Sequence, residues 1–149
     1  MLIANAILRR HDVPANAPLP FDLVVLDHQA RHIRRKRITL QHGDEIMVDF
    51  ERAAKLEHGD LLVLDDGRVA EVIAAEEELM DIRGRDQTHL MQLAWHIGNR
   101  HLPAQIEEHR ILIRRDRIIC HMLETLGATV SDVSEPFHPA HGAYHAHGH

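Results

Sequence analysis

The chain ends in a stretch that is rich in imidazoles. From Phe137 to His149 the sequence reads FHPAHGAYHAHGH, and the other residues are mostly Ala, Gly and Pro, which are too small to build a packed core. Neutral imidazole is a ligand suited to Ni²⁺, Zn²⁺ and Cu²⁺. The sequence therefore predicts a flexible, metal-binding tail over residues 137–149. Its candidate ligands are His138, His141, His145, His147 and His149.

A predicted helix upstream of the tail carries another candidate ligand. Residues 86–101 read DQTHLMQLAWHIGNRH and start with an acidic residue at the positive end of the helix dipole. At about 100° per residue, His96 falls roughly 120° from the centre of the apolar stripe, beside His89, and Trp95 lies on the opposite flank. The stripe itself comprises Leu90, Met91, Leu93, Ala94 and Ile97.

An exposed tryptophan beside an off-core histidine is typical of a subunit interface. If two chains meet there about a two-fold axis, each contributes one His96 to a shared ion. The alternative, a surface histidine with no ligand role, stays open on helix geometry alone. His101 is predicted to return to the apolar side at the helix end, where an imidazole is favourable, and is interpreted as structural.

The elements around this helix predict a small α+β domain over residues 75–136. A strand at 79–82 precedes the helix, residues 104–113 have room for one or two strands, and a strand at 128–133 follows a second helix. That order matches a ferredoxin-like βαββαβ unit. The second helix ends at Gly127, and its predicted buried face comprises Ile118, Ile119, Met122, Leu123 and Leu126. Cys120 lies off this face and is interpreted as a half-buried filler.

The first half of the chain predicts a small β-domain over residues 1–74, barrel-like or sandwich-like. Short apolar runs alternate with turn residues, and an Asp-Gly turn at 66–67 joins two runs as a hairpin. Such short, closely spaced strands do not suggest an enzyme scaffold with a deep cleft. The predicted strands cover residues 2–8, 23–26, 31–40, 45–50, 61–64 and 68–73.

A basic run lies within the third predicted strand. It is interpreted either as a solvated edge protected by charge or as a docking face for an acidic partner protein. The run contains no aromatic residue, so stacking on nucleic-acid bases has little support. Arg31 and Lys36 belong to the run, and the candidate partner-binding residues are Arg34, Arg35 and Arg37.

Composition narrows the classes of function further. The formal charge of -6 with neutral histidines argues against a general nucleic-acid binder. The one cysteine fits a reducing compartment, and the apolar N-terminal run is too short to cross a bilayer, so we expect a cytoplasmic protein without membrane contact. No H-E-x-x-H motif and no nucleophile elbow occurs, which argues against an enzyme.

Several longer motifs resemble those of one protein family. They are W-H-I-G-N-R-H followed by L-P-A-Q-I, M-L-E-T-L-G, P-F-H-P-A-H-G-A-Y, and, in the first half, L-Q-H-G-D-E-I, L-E-H-G-D-L-L-V and D-D-G-R-V-A-E-V-I-A-A-E-E-E-L. Together they cover essentially the whole chain. They resemble UreE, the family of urease accessory nickel metallochaperones.

The resemblance implies a homodimer joined through its ferredoxin-like domains, with the family's interface histidine at His96 and further ligands from the tail. It also implies a peptide-binding N-terminal domain, the GTP-binding partner UreG, and delivery of Ni²⁺ to apo-urease; Zn²⁺ or Cu²⁺ is expected to compete in vitro. Some members carry extra histidines before the second helix. Here Arg114, Arg115 and Arg117 occupy that region, and a guanidinium cannot be a ligand. The alternative is a nickel or zinc buffer that delivers the metal nowhere.

Overall fold

The chain forms two compact units. In the computed structural model, which describes residues 1–140, the first unit ends at Ala75 and the second begins at Glu76, one residue from the predicted boundary. Strands make up most of the regular structure, and both helices longer than one turn belong to the second unit. Neither helix within this range is long and apolar enough to cross a membrane. The fold is therefore a two-domain α+β arrangement.

A single curled sheet forms the N-terminal unit, with strand order β2-β6-β5-β1-β4-β3. The backbone N–H of Gln41, just beyond β3, donates to the carbonyl of Leu23 in β2 at 2.9 Å, so the two edges approach at one end. The result is a half-barrel and not a two-sheet sandwich. Its strands are β1 (Leu2–Leu8), β2 (Asp22–Leu26), β3 (His32–Thr39), β4 (Glu45–Lys55), β5 (Leu61–Leu64) and β6 (Val69–Ala74).

Alternating apolar residues place the core on one side of this sheet. In β4 the side chains of Ile46, Val48 and Phe50 are buried, as the period of two in the sequence predicts. The basic run lies mostly on the exposed edge strand β3, but Arg31 is fully buried and its Nη1 donates to the carbonyl of Leu26 at 3.0 Å. The prediction that Arg31 belongs to a solvated run is wrong, because Arg31 precedes the strand and its side chain is buried.

The C-terminal unit pairs one antiparallel sheet with two helices. The sheet order is β10-β7-β9-β8, and apolar side chains of both helices pack on the sheet in one core cluster. Asp86 and Asp116 cap the helices by accepting backbone hydrogen bonds, and Gly127, with φ +90°, ends the second helix as predicted. The elements are β7 (Glu76–Arg83), α1 (Gln87–Asn99), β8 (Gln105–Ile106), β9 (Ile111–Arg114), α2 (Arg117–Thr125) and β10 (Thr129–Pro136).

The residues just after β10 are held against this unit. Phe137 is fully buried with Leu79 and Leu112, and the backbone N–H of Ala140 donates to the carbonyl of Ala104 at 2.8 Å. Burying an aromatic ring favours order, so the tail predicted to begin at residue 137 differs from the structure in its first four residues. His141, His145, His147 and His149 lie outside the described residues.

An ion-pair network centred on Arg110 connects β7, β10 and the loop before β9. Its guanidinium donates to Glu135 at 2.8 Å, to Glu107 at 3.0 Å and to Asp81 at 3.2 Å. The hydrogen bonds from Arg110 lower the pKa of Glu135. Burial raises the pKa of Asp81, but the hydrogen bonds from Arg83 and Arg110 outweigh burial and lower it overall.

Substituting Arg110→Gln removes the cation that these carboxylates share. We expect the free energy of unfolding to fall by about 2 kcal/mol at pH 7 in urea denaturation. Folding lowers the pKa values of Asp81 and Glu135, so their contribution is present above their unfolded pKa values of about 4 and is lost as the pH falls through the folded values. The gap between variant and wild type should therefore close below about pH 4.

Arg114→Gln is the matched control, because Arg114 is exposed at the end of β9. It should leave the unfolding midpoint unchanged. A stability gap for Arg110→Gln that stays constant from pH 7 to pH 3 would contradict the assigned role of the network.

Candidate metal centre

The buried stripe of α1 is rotated relative to the sequence prediction. Leu90, Leu93 and Ile97 are buried as predicted, but Met91 is 63% exposed. Met91 and Trp95 stand one turn apart on the outer face of the helix, and Trp95 is 65% exposed. An outer helix face that carries two large apolar side chains is the kind of surface that another protein covers.

The outer side of α2 also departs from the prediction. Ile118, which was predicted to be buried, is 80% exposed, while Ile119 and Leu123 are buried. Ile119 and Leu123, four residues apart, form the buried face of α2, and Ile118 points about 100° away from Ile119. Both helices therefore expose apolar side chains.

His96 is half-buried on the side of α1. Its ring meets that of Trp95 edge-to-face, with centroids 5.1 Å apart. Within residues 1–140 the imidazole makes no hydrogen bond, so both ring nitrogens remain available. The structure is consistent with an off-core position for His96 but brings no second ligand to it.

His89 belongs to the core of the unit, contrary to its predicted off-core position beside His96. It is 4% exposed, and its Nδ1 accepts a hydrogen bond from the backbone N–H of Arg85 at 2.9 Å. Its Nε2 then carries the proton and donates to the carbonyl of Leu126 at 2.8 Å. Both nitrogens are occupied by bonds that link the start of α1 to the end of α2, so His89 is structural and not a ligand.

His101 also differs from its prediction, in the opposite direction. It does not return to the apolar side of α1 but is exposed, one residue past the C-cap Arg100. Its φ of 57° makes it the one non-glycine residue in the left-handed region within the described chain. Its imidazole makes no hydrogen bond to another residue of that range.

A strained backbone under an exposed imidazole points to function more than to packing. The left-handed position after a helix is normally filled by Gly or Asn, and a residue with a Cβ is strained there. The sequence contains the necessary signal: in G-N-R-H the helix ends without a glycine at the position that needs one, and histidine takes its place. A helical wheel that continues regularly to His101 does not show this conformation, because α1 ends at Asn99.

The tail contributes one described candidate, His138. Its backbone N–H donates to Oε1 of Gln105 at 2.9 Å, and the residue is half-buried beside β8. His138 therefore lies on the folded unit. The other four candidate ligands of the tail are beyond the described range.

No complete metal site is present in the part of the chain that the structure describes. In residues 1–140 no three His, Cys, Asp or Glu side chains come close enough to hold an ion together. Cys120 is half-buried, and burial together with Glu124 raises the pKa of its thiol, which disfavours the thiolate that a metal needs. A site built on the histidines of α1 requires ligands from the tail or from a second chain.

The candidate partner-binding arginines lie on the N-terminal unit. Arg34, Arg35 and Arg37 are exposed on the edge strand β3. The Nη1 of Arg34 donates to the carbonyl of Phe50 at 3.2 Å. An edge strand lined with cations resists pairing with another sheet and favours contact with acidic surfaces.

Comparison with known proteins decides the family. Residues 4–75 match the model of the UreE urease accessory protein, N-terminal domain, and residues 77–149 match that of the C-terminal domain. The chain belongs to the UreE family. This is a family of urease accessory proteins with a role in urease maturation and not a family of enzymes.

Individual UreE relatives are similar over most of their length. The chain is 58% identical to the urease accessory protein UreE of Rhizobium meliloti over 87% of the chain and 84% of the relative. It is 55% identical to UreE of Rhizobium rhizogenes over 91% of the chain and 83% of the relative. It is also 55% identical to UreE 1 of Brucella suis over 97% of the chain and 88% of the relative.

The assignment of His89 can be tested by separating stability from metal binding. His89→Ala removes two buried hydrogen bonds and should lower the free energy of unfolding by about 2–3 kcal/mol, measured by urea denaturation. His121→Ala, at an exposed position of α2, is the matched control and should have no effect on stability. The nickel stoichiometry of folded His89→Ala should equal that of wild type. Loss of nickel from the folded variant would show that His89 is a ligand.

Proposed function

We propose that this UreE-family protein is a nickel metallochaperone. It acts in the cytoplasm as a homodimer, binds Ni²⁺ at the dimer interface, and passes the ion to apo-urease together with the accessory GTPase UreG. The observation that carries the proposal is His101, an exposed imidazole on a strained backbone at the end of a helix whose outer face is apolar. Family membership in urease maturation supports nickel as the cargo.

The C-terminal unit is proposed to have the ferredoxin-like fold and to form the dimer. Its element order β7-α1-β8-β9-α2-β10 and its antiparallel sheet order β10-β7-β9-β8 support the fold. The exposed Met91 and Trp95 support a contact between copies of α1, because a two-fold axis would cover the apolar face of each copy with that of the other.

Two imidazoles, one from each chain, are proposed to hold the ion at that axis. The sequence indicated His96, and the conformation of His101 makes His101 the stronger candidate. Gly98 supports this choice, because it lies on the α1 surface between Trp95 and His101 and a Cβ there would meet nothing within 4 Å. A small residue at that point lets two helices approach closely. His96 remains the alternative ligand.

The tail histidines are proposed to complete the coordination and to exchange ligands during transfer. A carrier must exclude competing ligands and still release its ion, and a rigid pair of imidazoles supplies orientation while tail ligands bind and leave one at a time. The proposed tail ligands are His138, His141, His145, His147 and His149. Cu²⁺ should bind at least as well as Ni²⁺, and Zn²⁺ should compete.

Arg34, Arg35 and Arg37 are proposed to contact an acidic surface of a partner in the urease maturation machinery. Their exposure on β3 supports this role. The second candidate function is a nickel or zinc buffer without specific delivery. The histidine content of the tail favours a buffer, since such a tail binds metal without any partner.

Matched alanine variants distinguish the two interface histidines. Native mass spectrometry of nickel titrations on the full chain should show a dimer that binds one ion tightly. In His101→Ala the affinity of that site for Ni²⁺ should fall at least tenfold, while the dimer persists. Loss of a residue that only supports a metal ligand already costs about tenfold to a hundredfold in affinity, and His101 is proposed to be a ligand itself. His96→Ala should keep the tight site.

If the tight nickel site is lost in His96→Ala only, His96 and not His101 is the interface ligand. Retention of the tight site in both variants would contradict an interface site. Delivery is tested separately, by activating apo-urease at limiting nickel with wild type or His101→Ala. A buffer would slow activation or leave it unchanged, whereas a carrier should accelerate it only when His101 is present.

A further inference from the structure

A pocket on the N-terminal unit takes no part in the proposed nickel site. It is a cavity of about 700 Å³ where the short turn after β1 meets the end of β4 and the loop before β5. We call it the Arg10 pocket. Its lining residues are Arg9, Arg10, His11, Lys55, Glu57, His58 and Asp60.

The floor of the Arg10 pocket is a satisfied ion pair. Asp60 is 2% exposed and accepts hydrogen bonds from Nη1 of Arg9 at 2.6 Å, from the backbone N–H of Glu57 at 2.8 Å and from that of Arg10 at 3.2 Å. The same Nη1 of Arg9 donates to the carbonyl of Lys55 at 2.8 Å. These bonds neutralise Arg9 and fix the walls of the pocket relative to each other.

The side chain of Arg10 is placed by a glycine. Gly59 has φ +88°, and a Cβ built on it would lie 2.6 Å from Cδ of Arg10. The aliphatic part of Arg10 therefore crosses the turn where only a glycine leaves room. The stem thus lies along Gly59, while Arg10 as a whole stays exposed, so its guanidinium is accessible to a ligand in the pocket.

The charges of the pocket leave Arg10 uncompensated. Asp60 offsets Arg9, and Glu57 lies 3.8 Å from the ammonium of Lys55. Within residues 1–140 the guanidinium of Arg10 has neither a hydrogen bond nor an ion pair. The pocket thus presents a planar cation beside two neutralised pairs.

A neutral donor stands in the same pocket. Nδ1 of His58 accepts the backbone N–H of Ala74 at 3.1 Å, so the proton of the neutral ring lies on Nε2. His58 can therefore donate to an acceptor in the pocket at neutral pH. A guanidinium and an imidazole N–H together match an anion with two oxygens in a plane.

We infer that the Arg10 pocket binds a carboxylate of an acidic peptide segment, with a bidentate pair to Arg10 and a hydrogen bond from Nε2–H of His58. A carboxylate has the planar geometry that the guanidinium fork prefers. A phosphate dianion carries more negative charge than one carboxylate, so the carboxylate of Glu57 in the same pocket would repel phosphate more strongly. The volume exceeds that of one carboxylate and has room for the backbone beside it.

The test is a titration of the full ¹⁵N-labelled chain with the peptide acetyl-Glu-Glu-Glu-Glu-amide, followed by NMR. The Arg10 Nε–H and the His58 ring should shift in wild type. Arg10→Gln should weaken binding about tenfold, the loss expected for one charge-assisted pair. Arg52→Gln, which removes an equal charge from an exposed position of β4 outside the pocket, is the matched control and should bind like wild type.

Gly59→Ala provides a test without a change in charge. It should displace the Arg10 stem and weaken binding several-fold in a chain whose thermal midpoint shows that it is folded. Equal loss in Arg10→Gln and Arg52→Gln would mean general charge attraction and would overturn the proposal. Tighter binding of inorganic phosphate than of the peptide would overturn the carboxylate assignment. Nickel titrations of Arg10→Gln should match wild type, so this result is independent of the proposed carrier function.

Discussion

The packing of α1 against its sheet is the constraint on which the proposed metal chemistry depends. Leu90, Leu93 and Ile97 have to be buried, and burying each side chain contributes about 1.5–3 kcal/mol. Once this face is fixed, rotation of the helix is no longer available to reposition its histidines. His89 falls inside and is used for hydrogen bonds, and His101 falls beyond the helix end and is exposed.

The proposed arrangement separates holding an ion from releasing it. A ligand on a rigid helix end has a fixed position, so a pair related by symmetry can select an ion by geometry. Ligands on a chain of small residues cost little to detach. The arginines Arg114, Arg115 and Arg117 lie at the start of α2 and just before it, and they add charge there but no ligand. The proposed metal ligands are thus confined to α1, the residue just beyond it and the tail.

Local patterns predicted most elements of the fold. The period of two in β4, the Asp-Gly hairpin and the caps at Asp86 and Gly127 each depend on residues close in sequence, and each was found as predicted. Which face of each helix is buried was harder to predict from local patterns. A helical wheel places Met91 and His89 on opposite flanks of one stripe, and only the sheet beneath decides which flank is buried.

The candidate site was predicted only in part for the same reason. His96 lies outside the core cluster, as predicted, but the exposure of His101 was not predicted, because its left-handed backbone is not part of a regular helical wheel. Arg31 and Phe137 were assigned by composition to a charged run and to a tail, yet tertiary contacts bury both completely. The spacing of residues in the sequence does not indicate the contacts that bury Arg31 and Phe137.

A crystal structure of the nickel-loaded protein, with anomalous diffraction at the nickel edge, tests the proposed dimer site most directly. We expect a nickel peak on a two-fold axis, bonded to an imidazole nitrogen of His101 from each of two chains at about 2.1 Å, a typical metal–imidazole distance. A nickel ion bound within a single chain, or a pair of His101 rings far from the metal, would contradict it.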